Sequence, residues 1–332
     1  MKFEEIISSL QKKDYHPVYF LMGEESFYID KISDFISKNV LDQSEKDFNQ
    51  HVFYGKDSEV STILSAAKQF PLMGKYNVVI VKEAQELKNI ELLDGYLSQP
   101  LDSTILVICY KNKSIDKRKK FGKDLAKKTF LFESKKLYEN QIGDWIQAYV
   151  SQHHYKIDVK AAHLLGEYTG TSLSKLSNEL DKLMIILQKG EMISREIIEK
   201  NIGISKDYNV FELNNALSNK DILKANRIVN YFGDNSKDHP LVVTVASLFN
   251  HFQKILIYHT LVDKSKTNVA SQLKINPYFV SDYVSASRSY NKKKLLNIFS
   301  LLRTYDLKSK GVNNSSSNDG QLLKELIFQI LH

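Results

Sequence analysis

The sequence predicts an α/β domain built on a mostly parallel sheet, followed by two all-α domains. Three observations predict it: five short apolar runs within the first 135 residues, amphipathic stretches between those runs, and apolar residues recurring at helical spacing through the remainder. The runs are Val18–Met22, His51–Tyr54, Asn77–Val81, Thr104–Cys109 and Thr129–Phe132, and they read as buried strands. After the first of them, Phe27, Ile29, Ile32, Phe35 and Ile36 form an amphipathic helix pattern, and the alternation repeats as βαβαβαβαβ. That order calls for a sheet covered by helices over residues 1–135.

From residue 136 the apolar spacing turns helical, through Trp145, Ile146, Tyr149 and Val150, then Leu173, Leu176, Leu180 and Leu183. Gly170-Thr171-Ser172 marks a turn and an N-cap, and Gly190 a helix end, so 136–207 is expected to be a compact unit of three or four helices. A third domain, 208–332, opens with Phe211, Leu213, Ala216 and Leu217 and continues through Val242–Leu261 and Lys293–Leu302. A polar segment, Asn313–Gly320, precedes a last helix at Leu322–Leu331, and no internal repeat is evident.

At 332 residues, 42% apolar and 26% charged, the chain can bury several cores. No apolar run reaches the roughly 18 residues that span a bilayer, and Met1–Leu10 lacks a signal-peptide core, so a cytoplasmic protein without a membrane partner is expected. The single cysteine, Cys109, lies in an apolar run and reads as a buried hydrophobe. His153 and His154 are adjacent, and no Cys or His pair has zinc-ligand spacing, so neither metal nor cofactor is expected. The net charge of +7 concentrates in Lys111–Lys128, with nine basic and two acidic residues. Such a local excess suits a phosphate backbone or an acidic partner; a solvated loop and helix face is the alternative.

A parallel sheet with a strand-loop-helix at its start invites a search for the phosphate loop GxxxxGK[ST]. It is absent: the three Gly-Lys pairs are followed by Asp57, Tyr76 and Asp124, and the loop after the first strand is Gly23-Glu24-Glu25-Ser26-Phe27. Two carboxylates stand where a phosphate needs donors. The third strand continues as Val78-Val-Ile-Val-Lys82-Glu83-Ala84-Gln85-Glu86-Leu87, which resembles the hhhhDEAxxL segment of AAA+ proteins with lysine in place of the magnesium-holding aspartate. The alternative is an ordinary strand ending in polar residues.

Pro17–Ser26, Phe70-Pro-Leu-Met-Gly74, Leu176-Ser-Asn-Glu-Leu-Asp-Lys-Leu183 and Val210-Phe-Glu-Leu-Asn-Asn-Ala216, in this order and spacing, resemble the delta subunit of the bacterial DNA polymerase III clamp loader. The resemblance covers nearly the whole chain. It implies an AAA+-like α/β domain deficient in its nucleotide site, a small helical lid domain, and a helical collar for assembly with ATP-hydrolysing gamma/tau and delta-prime-like subunits. It also implies a function: binding the beta sliding clamp and opening its ring for loading onto primed DNA, as part of the polymerase holoenzyme.

In that family a hydrophobic wedge binds the clamp at the position of Gln69-Phe70-Pro71-Leu72-Met73, which also fits the clamp-binding pattern QxxL[FM]. Leu72 and Met73 would fill an apolar pocket, with Phe70 beside them and Gln69 hydrogen-bonding at its edge. Met73 stands where phenylalanine is more familiar, but methionine adapts to the same pocket. From pattern alone, the alternative is that both side chains close the core beneath the following strand. Asn178, Glu179 and Lys182 resemble the family's NExxKL helix, where Glu179 and Lys182 share a face. Lys111, Lys113, Lys117, Arg118, Lys119 and Lys120 follow the fourth strand, where AAA+ proteins usually carry DNA-tracking elements, and are assigned to DNA-backbone contact.

Two other readings compete. An ATP-hydrolysing AAA+ loader or helicase-like subunit is opposed by the missing GK[ST] and by the absence of a Ser-Arg-Cys arginine finger. A DNA-binding scaffold is supported only by the basic stretch.

Overall fold

The computed structural model describes residues 3–205, 207–312 and 318–332. The chain divides into two compact units, Met1–Leu137 and Tyr138–His332. In the first, the strands are β1 (Val18–Gly23), β2 (Gln50–Tyr54), β3 (Asn77–Lys82), β4 (Thr104–Lys111) and β5 (Phe130–Ser134). Its helices are α1 (Phe3–Gln11), α2 (Ser26–Asn39), α3 (Gln43–Asn49), α4 (Val60–Ala67), α5 (Asp94–Leu97) and α6 (Lys120–Lys128). The strands form one parallel sheet in the order β2-β3-β4-β1-β5.

Strand residues alternate between two cores because successive side chains point to opposite faces. Tyr19, Leu21, Ile80, Val107 and Cys109 meet Ile6 and Leu10 of α1 and Ile29, Ile32 and Ile36 of α2. Phe20, Met22, Val79, Val81 and Ile108 meet Val60 and Ile63 of α4, Leu97 of α5 and Leu125 of α6. All five predicted strands are present; the runs of β1, β3 and β4 are nearly continuously apolar because both faces are covered there, whereas β2, at the sheet edge, leaves Val52 and Tyr54 exposed. Cys109 is buried as expected, and burial pushes its thiol up to about 12.

The second unit contains α7 (Glu139–Gln152), β6 (Lys156–Ile157), α8 (Val159–Thr169), α9 (Leu173–Ile186), β7 (Met192–Ile193) and α10 (Arg195–Ile202). There follow α11 (Val210–Ser218), α12 (Ile222–Asp234), α13 (Leu241–Thr260), α14 (Lys266–Leu273), α15 (Val280–Ser289), α16 (Lys292–Ser309) and α17 (Asp319–Leu331). Ser172 occupies the N-cap position of α9, where the sequence predicts it, without a side-chain capping hydrogen bond. The fold class is the predicted one with a single correction: β6 and β7 pair in parallel, Ile157 opposite Ile193, where an all-helical segment was expected. Two residues per strand are too few for an alternating pattern to register.

Leu213, Ile228, Phe232, Leu248, Phe252, Ile298 and Leu326 lie in one core shared by α11, α12, α13, α16 and α17. Among the described residues α13 is the one helix long and apolar enough to cross a membrane, by length and composition; its buried side carries Leu248, Phe252 and Ile255 into this core. Of the predicted polar segment Asn313–Gly320, residues 313–317 lie outside the described residues, and Asn318 caps α17.

Helices α12 and α17 come together at Gly233 and Gly320: a Cβ on Gly320 would lie 2.8 Å from the Gly233 Cα. Alanine is favoured over glycine inside a helix by up to about 1 kcal/mol, but a backbone atom cannot give way, and overpacking costs about 1–3 kcal/mol. The clash wins. Gly320→Ala is therefore expected to lower stability by roughly 1–2 kcal/mol in urea unfolding, net of the propensity gain; an unchanged or higher midpoint would show that the two helices do not cross this closely.

Candidate functional site

The C-terminal ends of the parallel strands are where an α/β sheet of this kind binds nucleotides. Here they are filled by the protein itself. Gly23, at φ +130°, turns the chain out of β1, and a Cβ there would lie 2.1 Å from the Ser134 carbonyl oxygen. The next turn is held by Glu25, whose backbone N–H donates to Ser134 Oγ (3.2 Å) and whose Oε1 accepts from the Phe27 N–H (3.1 Å). A carboxyl thus caps the N-terminus of α2, the place a phosphate loop reserves for its ligand. Burial raises the Glu25 pKa against the opposing effects of the Phe27 N–H and Lys136.

At the end of β4, Lys111 reaches back between two carboxylates, Asp30 at 2.7 Å and Glu83 at 2.9 Å. Its side chain is only 12% exposed. Gln85 completes the arrangement, accepting from the Lys111 N–H at 3.0 Å and donating to Glu83. Burial works against the Lys111 charge, but the bonds to Asp30 and Glu83 outweigh it and raise its pKa. The hydrogen bonds from Lys111 and Gln85 hold the Glu83 carboxyl below its ordinary value. Lys82, the last residue of β3, lies 3.7 Å from Asp34. Asp30 and Asp34, one turn apart on α2, face two lysines at neighbouring strand ends.

The segment Gln69–Met73 lies in the connection from α4 to β3. Phe70, Leu72 and Met73 are 73%, 77% and 51% exposed, so none of them closes the core. The backbone beneath them is held by two buried asparagines. Asn77 Nδ2 donates to the carbonyls of Ala66 (2.9 Å) and Gln69 (3.2 Å). Asn49, the last residue of α3, accepts from the Leu72 N–H at 2.8 Å and donates to the Met73 carbonyl. Beyond Met73 the chain turns at Gly74, φ +73°, where a Cβ would collide with the Glu45 carboxylate. Neither asparagine was singled out from the sequence; each precedes or opens a strand, and its partners are distant in the chain.

The basic stretch divides. Lys111 is internal, Lys117 pairs with Glu133, and Arg118 binds Asp116 at 2.9 Å. Lys113, Lys119 and Lys120 are exposed and, among the described residues, form no ion pair with a carboxylate. On α9, Lys182 meets Glu179 at 2.6 Å, an ion pair along the helix face. A separate cleft of about 870 Å³ in the helical unit is lined by His163, Glu167, Lys254 and Tyr283 among others. His163 and Glu167 approach at 4.0 Å, and burial pushes Glu167 up to about 8 and His163 down to about 4.

Two family models match the chain: DNA polymerase III, delta subunit, over residues 19–135, and DNA polymerase III delta subunit, C-terminal domain, over residues 207–330. The DNA polymerase III subunit delta of Bacillus subtilis (strain 168) is 28% identical over 341 aligned positions, covering 98% of this chain and 96% of that protein. The solved structure of the Bacillus subtilis DNA clamp loader delta protein is similar at 25% identity and a TM-score of 0.56, with 99% of each chain covered. Both ends of the chain, its nearly full-length alignment and its sheet-then-helices architecture agree: the chain belongs to the delta-subunit family of the DNA polymerase III clamp loader.

Proposed function

We propose that this chain grips the beta sliding clamp through Leu72 and Met73, with Phe70 and Gln69 at the margin of the contact, and helps to open the ring for loading onto primed DNA. The observation that carries the reading is the exposure of three large apolar side chains on a connection whose backbone is hydrogen-bonded from within. Exposed apolar groups on a fixed backbone suit a partner pocket, since little order remains to be imposed on binding. Residues 1–135 would supply this grip and 136–207 the lid. Residues 208–332 would form the collar joining ATP-hydrolysing gamma/tau and delta-prime-like subunits in the cytoplasm; exposed Val243, Leu296 and Phe328 suit such a contact. Lys113, Lys119 and Lys120 would meet the DNA backbone. Lys117 and Arg118 could join them only by exchanging a carboxylate for a phosphate, and Lys111 only by leaving two.

The chain itself would not hydrolyse ATP. The helix terminus that would receive a phosphate is capped by Glu25, and the strand ends hold an ammonium between Asp30 and Glu83. Like charges of phosphate and carboxylate repel, and a lysine cannot ligate Mg²⁺.

Burying two such side chains is worth roughly 1.5–3 kcal/mol each, so Leu72→Ala with Met73→Ala should weaken clamp binding by about a hundredfold or more while leaving the fold intact. Absence of binding by the wild-type chain in the same surface-plasmon experiment would refute the grip. Exchanging Lys113, Lys119 and Lys120 for glutamate should lower the assembled loader's affinity for primed DNA. It should also flatten the log–log salt dependence by roughly 0.9 for each phosphate no longer neutralised; an unchanged slope removes them from the DNA path.

Calorimetry with ATP should give no saturable binding. Lys111→Met is expected to leave that result unchanged and to cost roughly 1–3 kcal/mol at pH 7, since two partly exposed carboxylates lose their cation. Glu83 has a lowered folded pKa, so its contribution is complete above the ordinary value of 4.5 and fades as pH falls through the folded value. The gap between wild type and variant in unfolding midpoint should therefore begin to narrow as the pH falls below 4.5 and close only below the lower folded value of Glu83; a gap that does not narrow in acid would place the lysine's role elsewhere.

A further inference from the structure

We infer that Asn49 is the positioning residue of the clamp-gripping loop, its carboxamide setting the Leu72–Met73 backbone so that both side chains stand outside the fold before any partner arrives. The inference rests on the proposed grip and adds to it the residue that presents the gripping side chains.

Among the described residues, 70–75 make no backbone–backbone hydrogen bond, so the loop has no ladder or turn bond of its own at its apex. What holds the apex is one side chain from a different element. Asn49 lies 23 residues before Leu72 in the chain and is 1% exposed. It accepts from the Leu72 N–H and donates to the Met73 carbonyl, using the acceptor and donor ends of one amide together. Serine or threonine offers a single oxygen for both tasks, and aspartate has no donor when ionised, so the carboxamide is the group that fits.

Its placement explains why it can do so. Asn49 ends α3 and Gln50 begins β2, and β2 pairs directly with β3, the strand into which the loop runs. The asparagine is thereby fixed to the sheet, and the loop to the asparagine. Glu45, one turn earlier on α3, crowds Gly74 and is itself fixed by accepting from the Asp42 N–H at 2.9 Å. Helix α3 thus meets the loop at its apex and again at its exit. Exposed leucine and methionine would otherwise gain by folding back onto apolar surface; with the backbone held, they cannot.

The test is a double-mutant cycle on the full-length chain, measuring affinity for the beta sliding clamp of the same organism. Asn49→Ala should weaken binding about tenfold in the wild-type background and distinctly less in a Leu72→Ala background, because the asparagine acts through the side chain already removed. Asn49→Asp, which keeps the shape and the acceptor but loses the donor, should act in the same direction and carries the cycle should the alanine variant not fold. A purely structural asparagine would lower the unfolding midpoint without coupling to Leu72. Equal losses in the two backgrounds, or wild-type affinity in the asparagine variants while Leu72→Ala binds poorly, overturn the inference and leave the grip standing. A wild-type chain that does not bind the clamp removes both.

Discussion

The central strands of the parallel sheet, buried on both faces, can present reactive or adhesive groups only at their ends. Because every residue of β1 is covered, and five of six in β3, no side chain can leave either face for solvent without opening a core. The polar network and the exposed apolar loop are therefore divided between two rims. Lys82, Lys111 and the turn after Gly23 lie at the C-terminal rim, whereas the Gln69–Met73 connection and Asn49 lie at the N-terminal rim, where β3 and β2 begin. A six-residue strand rising about 3.3 Å per residue separates the rims by roughly 20 Å. The charge network and the apolar loop can consequently be altered independently, although the same strands position both.

Each rim resolves its polar burden differently. At the C-terminal rim opposite charges neutralise one another across elements, β4 to α2 and β4 to the turn after β3. At the N-terminal rim neutral amides satisfy the Leu72 N–H and the Gln69 carbonyl, backbone groups of the connection itself. The helical unit uses a third device, aromatic hydroxyls that reach backbone carbonyls at helix ends: Tyr290 donates to the Leu217 carbonyl at 2.7 Å and Tyr155 to the Met184 carbonyl at 2.8 Å. Such bonds tie a large apolar ring to a carbonyl in the last turn of a helix.

What could be read from the chain follows from the range of each interaction. Strands β1, β3 and β4 were legible because burial on both faces leaves unbroken apolar runs, and α2 because its amphipathic pattern repeats over a full fourteen residues. The place of Lys82 at the end of the third strand was equally plain, since the apolar run stops there. The exposure of Leu72 and Met73 was not, because a short apolar pair has no periodicity and suits a core as well as a surface. Lys111 looked like one of nine similar cations; only the fold separates it, by carrying it to Asp30 and Glu83. Asn49 carried no local signal, as both its bonds are made to residues more than twenty positions away.

The ammonium between Asp30 and Glu83 has a consequence of its own. A cation tethered to the chain has no dissociation constant and does not respond to the concentration of free metal or nucleotide. On the function proposed above, strand ends occupied in this way would offer no empty and filled forms for the rest of the domain to distinguish, and whatever timing an assembled loader requires would reach this domain through its surfaces.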